Sequence, residues 1–201
     1  YARSVAAHNT VQYGDIEPIP ISGSYLLGRR LDPTVREGGG DGVRFFDGRY
    51  SRGGRLQTEY SHRRRIYHDE DWWLVWDSVD APESAPVTSR LHVQPGIDVA
   101  TETDSTQPRF ELAAASGSDD PLASVVPLGA DSATVATSQY FPEFQRAETR
   151  PKLSMQVEGQ SVQFGFLLSR RPRRSVAVEH DGETVTGVSM DDRYRSLPST
   201  E

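Results

Sequence analysis

Two histidines stand in sequence contexts that suit chemistry. His8 belongs to the sequence RSVAAHNTV at residues 3–11, and His62 begins the run HRR in a strand-like segment. An imidazole can transfer a proton or neutralise a carboxylate, because its pKa lies near working pH, and its neutral form can bind a metal. A single histidine at the start of a strand is more often a hydrogen-bonded structural residue. The elements around each histidine must therefore decide its role.

Those elements are predicted to be β-strands. Apolar residues repeat at every second position, and the chain contains 17 glycines and 13 prolines, a pattern typical of short strands joined by turns. We predict one domain over residues 1–190, a two-layer antiparallel β-sandwich with negligible helix, and a polar tail over 191–201 that frays. The predicted strands are 9–13, 25–29, 43–46, 56–67, 72–79, 87–93, 98–103, 109–114, 133–137, 152–158, 161–169, 175–179 and 184–188.

Three segments are predicted to be loops instead. Residues 37–42 contain four glycines and are too flexible for a strand. Residues 81–86 contain two prolines, which cannot donate to a ladder of hydrogen bonds. Residues 116–120 form the third predicted loop.

Composition restricts the partners. The net charge of -7 argues against a general nucleic-acid binder, so a polyanionic ligand would need a local basic patch. Lys152 is the only lysine among the 22 basic residues. Arginine pairs well with carboxylates and sulfates, but codon usage or adaptation to salt would produce the same bias. The absence of cysteine excludes disulfides and leaves the redox compartment open.

The start and the hydropathy of the chain carry two further expectations. No stretch is apolar for long enough to span a bilayer, so no membrane partner is expected. The sequence begins at Tyr1 with neither an initiator methionine nor a signal peptide. This start favours a fragment or a processed piece of a longer protein.

The aromatic strand at residues 72–76 can serve the core or a ligand. Trp72, Leu74 and Trp76 share one strand face and are predicted to be core residues, whereas Trp73 points the other way. An exposed Trp73 could stack on a sugar ring. Arginines at 63–65 and 170–174 could grip a polyanion, although such runs are usually solvated. His68, His92 and His180 are predicted to face solvent or polar surface.

Several motifs together resemble the C-terminal β domain of the heparinase II/III-like polysaccharide lyases. They are RSVAAHNTV, the HRR strand, the aromatic strand that ends in Asp77, and the RLHVQP segment at residues 90–95. The sequences SQYF at 138–141, KLSM at 152–155 and FGFLL at 164–168 are similar to the family's closing segment, although Phe141 replaces the usual small residue. The resemblance covers residues 1–170.

The resemblance implies an activity and a site. It implies β-elimination in a uronic-acid-containing polysaccharide such as heparan sulfate, alginate or an exopolysaccharide. That reaction removes the C5 proton of a uronate whose carboxylate has been neutralised, and then protonates the leaving oxygen. In the family, the tyrosine acid/base and the carboxylate donors lie on a preceding helical toroid, so this chain offers His8 as its catalytic residue. Asn9, Arg63 and Trp73 are predicted to bind substrate.

The resemblance also raises a metal site. Some members hold a structural metal in this domain with two histidines and an aspartate, and His62 is similar in position to the second histidine. Thr10 stands where another histidine would be expected. A structural Zn or Ca ion at His62 is therefore possible, and no cofactor is certain.

Partners and rival functions follow from the same residues. The expected partners are a polyanionic polysaccharide and an N-terminal α/α-toroid domain of the same protein, and the isolated chain is expected to be inactive. A noncatalytic carbohydrate-binding sandwich would rest on Trp73 and the arginines. A purely structural β domain would leave His8 without a ligand.

Overall fold

The computed structural model describes residues 1–22, 26–28, 30–54, 57–102, 107–117, 120–173 and 175–200, with the side chains of 26, 27, 54, 57 and 58 left out. In these residues one short 3-10 turn, Val5–Ala7, precedes fifteen strands. The strands are β1 Val11–Tyr13, β2 Ile21–Ser22, β3 Leu26–Leu27, β4 Thr34–Gly40, β5 Val43–Gly54, β6 Gln57–His68, β7 Trp72–His92, β8 Ile97–Glu102, β9 Arg109–Ala114, β10 Ala123–Leu128, β11 Ser132–Glu143, β12 Arg146–Ser169, β13 Val176–Asp181, β14 Thr184–Met190 and β15 Arg193–Ser196.

The long strand β7 bends back on itself and so creates the two layers. Twelve extended residues span roughly 40 Å, yet Oγ of Ser89 lies 3.1 Å from Oδ2 of Asp77. The two halves of β7 must therefore face each other. The bend falls where we predicted a loop over residues 81–86. That prediction was wrong about the secondary structure, because the chain stays extended there, while the prolines mark the turn between layers.

Each half of β7 belongs to a different layer. In the first layer, the order is β4-β5-β6-β7-β12-β10-β9-β8. In the second layer, β1 pairs with the later half of β7, and β11 pairs with the earlier half of β12. β12 bends with β7, since the two pair from Trp72 opposite Ser169 to His92 opposite Lys152, with a register shift between Gly159 and Ser161. All pairs are antiparallel, which confirms the predicted all-β sandwich.

Along each strand, side chains that face the core between the layers alternate with side chains that face outward, as the pleat requires. The first layer contributes Val75, Val79 and Phe164, and the second contributes Val11 and Met155. Burial of this apolar surface is the main source of stability. One consequence is that any polar residue on the inner faces must find a partner there.

A small third sheet, in the order β13-β14-β15, covers the outer face of the first layer. Trp72, Leu74 and Trp76 pack against residues of this sheet such as Val188, which confirms that these tryptophans are core residues. The prediction that residues 191–201 fray was wrong over residues 191–200. Residues Arg193–Ser196 form β15, and Leu197 is buried in the same cluster.

The prediction of a loop at residues 37–42 was wrong. The glycine run at 37–42 is mostly strand, because β4 and β5 form a hairpin that turns at Asp41 and Gly42, where φ is 53° and 79°. Glycine tolerates the second of these angles without a steric penalty. Part of the predicted strand 25–29 and part of the predicted loop 116–120 lie outside the described residues. Among the residues that the structure describes, no helix has the length and hydropathy needed to cross a membrane.

Candidate functional site

His8 lies at the end of the 3-10 turn, immediately before the second layer begins. Its φ of -119° and ψ of 157° take the chain out of the turn, and the carbonyl of Thr10 then accepts a hydrogen bond from the N–H of Arg90 in β7. The side chain is exposed and borders two surface cavities. One of these also contains Asn9 and Arg150. A ligand could therefore reach the imidazole.

A buried carboxylate, Asp77, organises the inner face behind this segment. Its Oδ1 accepts from Nε of Arg64 at 2.7 Å and from Nε2 of His62 at 2.8 Å. Its Oδ2 accepts from Nη2 of Arg64 at 2.8 Å and from Oγ of Ser89 at 3.1 Å. Four hydrogen bonds use the usual capacity of a carboxylate. The same Arg64 donates from Nη1 to the carbonyl of Asn9.

These contacts set the charge state of the cluster. Burial alone raises the pKa of Asp77, but the charge of Arg64 and hydrogen bonds from Arg64 and His62 outweigh it and hold the pKa well below its usual range. Asp77 is therefore ionised at neutral pH and only accepts. Nε2 of His62 must consequently carry a proton. Burial raises the pKa of the neighbouring Tyr50, whose ring meets His62 edge-on.

A second set of basic side chains holds the same segment from the outer face of the second layer. Nε2 of His92 lies 3.1 Å from the carbonyl oxygen of Ala6, and Nδ1 lies 3.0 Å from Oγ of Ser138. Nη2 of Arg150 donates to the carbonyl of Ala7 at 3.1 Å. The prediction that His92 faces polar surface was wrong: it is buried because the N-terminal segment covers it.

Three carbonyl oxygens around His8, those of Ala6, Ala7 and Asn9, are thus held by basic side chains. Asn9 is also held through its side chain, since its Oδ1 accepts from the N–H of His92 at 2.8 Å. The backbone around His8 is fixed by both layers. The imidazole of His8 forms no hydrogen bond within the described part of the chain and stays available to a ligand.

The predicted substrate-binding residues do not all lie together. Asn9 is adjacent to His8, but Arg63 points to the opposite face of β6, because strand residues alternate. There Arg63 pairs with Asp47 through two hydrogen bonds of 2.9 and 2.7 Å. Trp73 lies four residues from Asp77 along β7, roughly 13 Å by strand rise. Its ring is half-buried and stacks on His68 at 6.3 Å.

The residues present do not fit the metal site that the family resemblance raised. Within the described ranges, no group of three His, Cys, Asp or Glu side chains can hold a metal ion. Nε2–H of His62 donates a hydrogen bond to Asp77, and the oxygens of Asp77 already accept from Arg64, His62 and Ser89. The ion pair with Arg64 neutralises the charge of Asp77, as a bound metal cation would.

Sequence reasoning missed the partners of Asp77, although a signal existed. The predicted strands 56–67 and 72–79 are close enough in sequence to form a hairpin, and its register places Arg64 directly opposite Asp77. Opposite charges facing each other on neighbouring strands are favourable. The contacts of His92 and Arg150 with Ala6 and Ala7 join residues more than 80 positions apart, and no local pattern announces them.

Residues 1–190 match the family model described as Heparinase II/III-like, C-terminal. No match is found among the curated proteins.

Several solved structures share the fold. One is the heparan sulfate lyase HepC from Pedobacter heparinus, with a TM-score of 0.68 and 11% identity over 98% of this chain and 31% of that one. Another is a heparinase III gene product with methylated lysines, with a TM-score of 0.70 and 12% identity over 97% of this chain and 30% of that one. The chain thus spans about a third of the length of these structures.

Proposed function

The chain belongs to the heparinase II/III-like family as its C-terminal domain, and we propose that it is the β-sandwich portion of a polysaccharide lyase. The substrate would be a uronic-acid-containing polysaccharide, cleaved by β-elimination. One observation carries this proposal: His8 presents an exposed imidazole on a backbone that both layers hold in place. A positioned imidazole is what proton transfer requires.

The chemistry assigns His8 a limited set of roles. The C5 proton of a uronate becomes acidic enough to remove only when its carboxylate charge is neutralised. A base then takes the proton, and an acid protonates the oxygen that leaves C4. His8 can donate to the carboxylate or transfer one of these protons, because either imidazole nitrogen can face a ligand in the cavity.

Asn9 supports the same assignment as a substrate-binding residue. Its Oδ1 must accept, because the partner is the N–H of His92. That contact orients the amide so that its NH2 group is the part that can donate to a saccharide oxygen. Arg63 and Trp73 lie away from His8 and would contact only more distant sugar units.

The remaining catalytic groups would come from another domain of the same protein. The chain covers 31% of the HepC chain, and a preceding α/α toroid is the proposed source of the tyrosine and of the main carboxylate donors. The exposed face beside His8 would then form one wall of the substrate cleft. Ligand sites are common at such domain interfaces.

The alternative, a noncatalytic carbohydrate-binding sandwich, depends on the arginines and on Trp73. The ring of Trp73 is half-buried and already stacked on His68. This arrangement leaves less of the ring for a sugar than an open platform would, so the lyase function is favoured.

Turnover can be measured directly. The full-length protein should raise ultraviolet absorbance from unsaturated uronate with heparan sulfate, alginate or another uronate polymer, while the 201-residue chain alone should not. Turnover by the chain alone would contradict the division of labour between domains. Binding of these polymers without any product by the full-length protein would support the noncatalytic alternative.

A further inference from the structure

The outer face of the second layer carries a group of basic side chains beside His8. Arg90 and His92 alternate along β7 with the inward residue Leu91, and Arg150 and Lys152 alternate along β12 with inward Leu153. The register places Lys152 opposite His92 and Ser154 opposite Arg90. Arg90 and Lys152 are therefore diagonal neighbours on one face.

Two of these guanidinium groups have unsatisfied donors. Among the residues that the structure describes, Nη1 of Arg90 and Nε of Arg150 are buried and have no hydrogen-bond partner. In the part of the chain that the structure describes, the side chains of Arg90 and Lys152 form no hydrogen bond or ion pair. The carboxylate that acts on Arg90 from a distance is Glu17, whose Oε2 accepts from the N–H of Val5.

The positive charges of this group also repel one another. Burial, followed by the charge of Arg90, lowers the pKa of Lys152. Burial and then the charges of Arg150, Lys152 and Arg90 lower the pKa of His92 to about 4, against the opposing hydrogen bond to Ala6. Like charges held together in a partly buried place destabilise the fold unless an anion lies among them. The protein as a whole has a charge of -7, so this concentration is local.

The group adjoins the proposed catalytic residue. Arg150 lines the same cavity as His8 and Asn9, and its guanidinium lies 5.1 Å from the ring centroid of Tyr140. Stacking on an aromatic ring holds a guanidinium plane in place, so that the N–H groups of Arg150 not used by Ala7 or buried can donate to a ligand. Guanidinium binds carboxylates and sulfates through paired hydrogen bonds.

We propose that Arg90, Arg150 and Lys152 form an anion subsite beside His8 that binds a carboxylate or sulfate group of an acidic saccharide. This inference rests on the proposed function and adds a binding site to it. The subsite would hold a sugar unit next to the one that reacts. It would affect affinity more than the chemical step.

The test uses the full-length protein with Arg90→Gln and Lys152→Gln. Arg150 is left unchanged because it also holds the carbonyl of Ala7. Equilibrium binding of heparan sulfate and of alginate is measured in a His8→Ala background, which prevents turnover during the measurement. Arg49→Gln on β5 is the matched control, since Arg49 is an exposed arginine on the other layer.

Arg90→Gln and Lys152→Gln should each weaken binding about tenfold, the low end for losing a hydrogen bond to a charged group. Arg49→Gln should leave binding unchanged. Lys152→Arg, which keeps the positive charge, should avoid the loss of affinity that Lys152→Gln causes. With His8 present, KM should rise and kcat should change less than threefold. Melting temperatures should stay the same or rise, because an uncompensated cation has been removed. A fall in melting temperature with unchanged affinity would show a structural role.

The two polymers distinguish the anion. Weaker binding to both indicates a carboxylate subsite, and weaker binding to heparan sulfate alone indicates a sulfate subsite. Unchanged affinity for both polymers would overturn the inference. Failure of the proposed function would appear separately, as absence of unsaturated product from the unsubstituted full-length protein.

Discussion

Arg64 links the buried carboxylate of Asp77 to the main-chain carbonyl of Asn9, so one side chain connects the first layer to the residue that follows His8. The link exists because β7 folds back and brings Ser89 of the second layer onto Asp77 as well. A bend in a strand thus places a charged cluster behind an exposed histidine. The cluster stabilises the sandwich and holds the backbone next to His8.

Replacing the carboxylate tests this link. Asp77→Asn should destabilise the protein by roughly 3–5 kcal/mol, the usual effect of leaving buried cationic and donor groups without their anion. Denaturant unfolding measures the change. Arg146→Gln is the control: Arg146 is exposed and pairs with Glu148 at 2.6 Å, and surface pairs contribute roughly 0–1 kcal/mol. Equal effects of the two substitutions would contradict a special role for Asp77.

His92 should make stability depend on pH. Its pKa falls from 6.5 to about 4 in the folded protein because of burial and the charges of Arg150, Lys152 and Arg90. The unfolded chain therefore binds a proton first as pH falls. Stability from this group is complete above pH 6.5 and is lost progressively as pH falls toward about 4.

Unfolding curves between pH 4 and 7 measure this dependence. His92→Gln keeps a donor that can reach the carbonyl of Ala6 but removes the titration, so the slope in this window should shrink. His180→Gln, at an exposed position in the third sheet, should leave the slope unchanged. An identical slope in the His92 variant would show that other groups cause it.

The prediction of the fold succeeded where local pattern determines structure. Alternation around Leu74 identified the core face of β7, and the three tryptophans were assigned to the correct faces. The bend at residues 81–86 was predicted to be a loop, because prolines interrupt strand pairing both in a loop and in a bent strand. Only the long-range contact between Ser89 and Asp77 distinguishes a bent strand from a loop here. The tail was misread because polar residues 193–196 gave no sign that Leu197 would anchor them.

The site was predicted only in part. The family resemblance selected His8, and the structure shows why its backbone is held, but the catalytic role itself remains a prediction. Arg63 was chosen from a basic run without regard to strand alternation, which directs Arg64 toward Asn9 and Arg63 toward Asp47. Burial of His92 depends on residues far away in sequence.

His62 should act through Asp77 and not through a metal. A chelator should leave the melting temperature unchanged, since the described residues offer no group of three ligands. His62→Ala should lower stability by about 1–3 kcal/mol because a buried acceptor loses a donor. Elemental analysis and thermal unfolding measure both effects. One tightly bound Zn or Ca ion per chain, with loss of stability on chelation, would restore the metal hypothesis.

Gly165 tests how closely β7 and β12 approach. A Cβ added there would collide with the carbonyl oxygen of Val75 and lie 3.1 Å from Cα of Trp76. Gly165→Ala should therefore cost about 1–3 kcal/mol or more, as overpacked sites do. Gly40→Ala is the control, because no atom of the described residues lies within 4 Å of its added Cβ. Equal stability of the two variants would show that the strands can separate without cost.

We propose that His8 acts in the reaction while the rest of the domain holds it in place. His8→Ala in the full-length protein should lower lyase turnover by about two to four orders of magnitude, the effect of losing a proton-transfer or charge-stabilising group. The melting temperature should not change, because the side chain is exposed. His180→Ala, at another exposed histidine, should keep full turnover. Unchanged turnover per folded molecule in His8→Ala would show that His8 takes no part in the reaction and would contradict this proposal, and a loss of stability in the same variant would assign His8 a structural role.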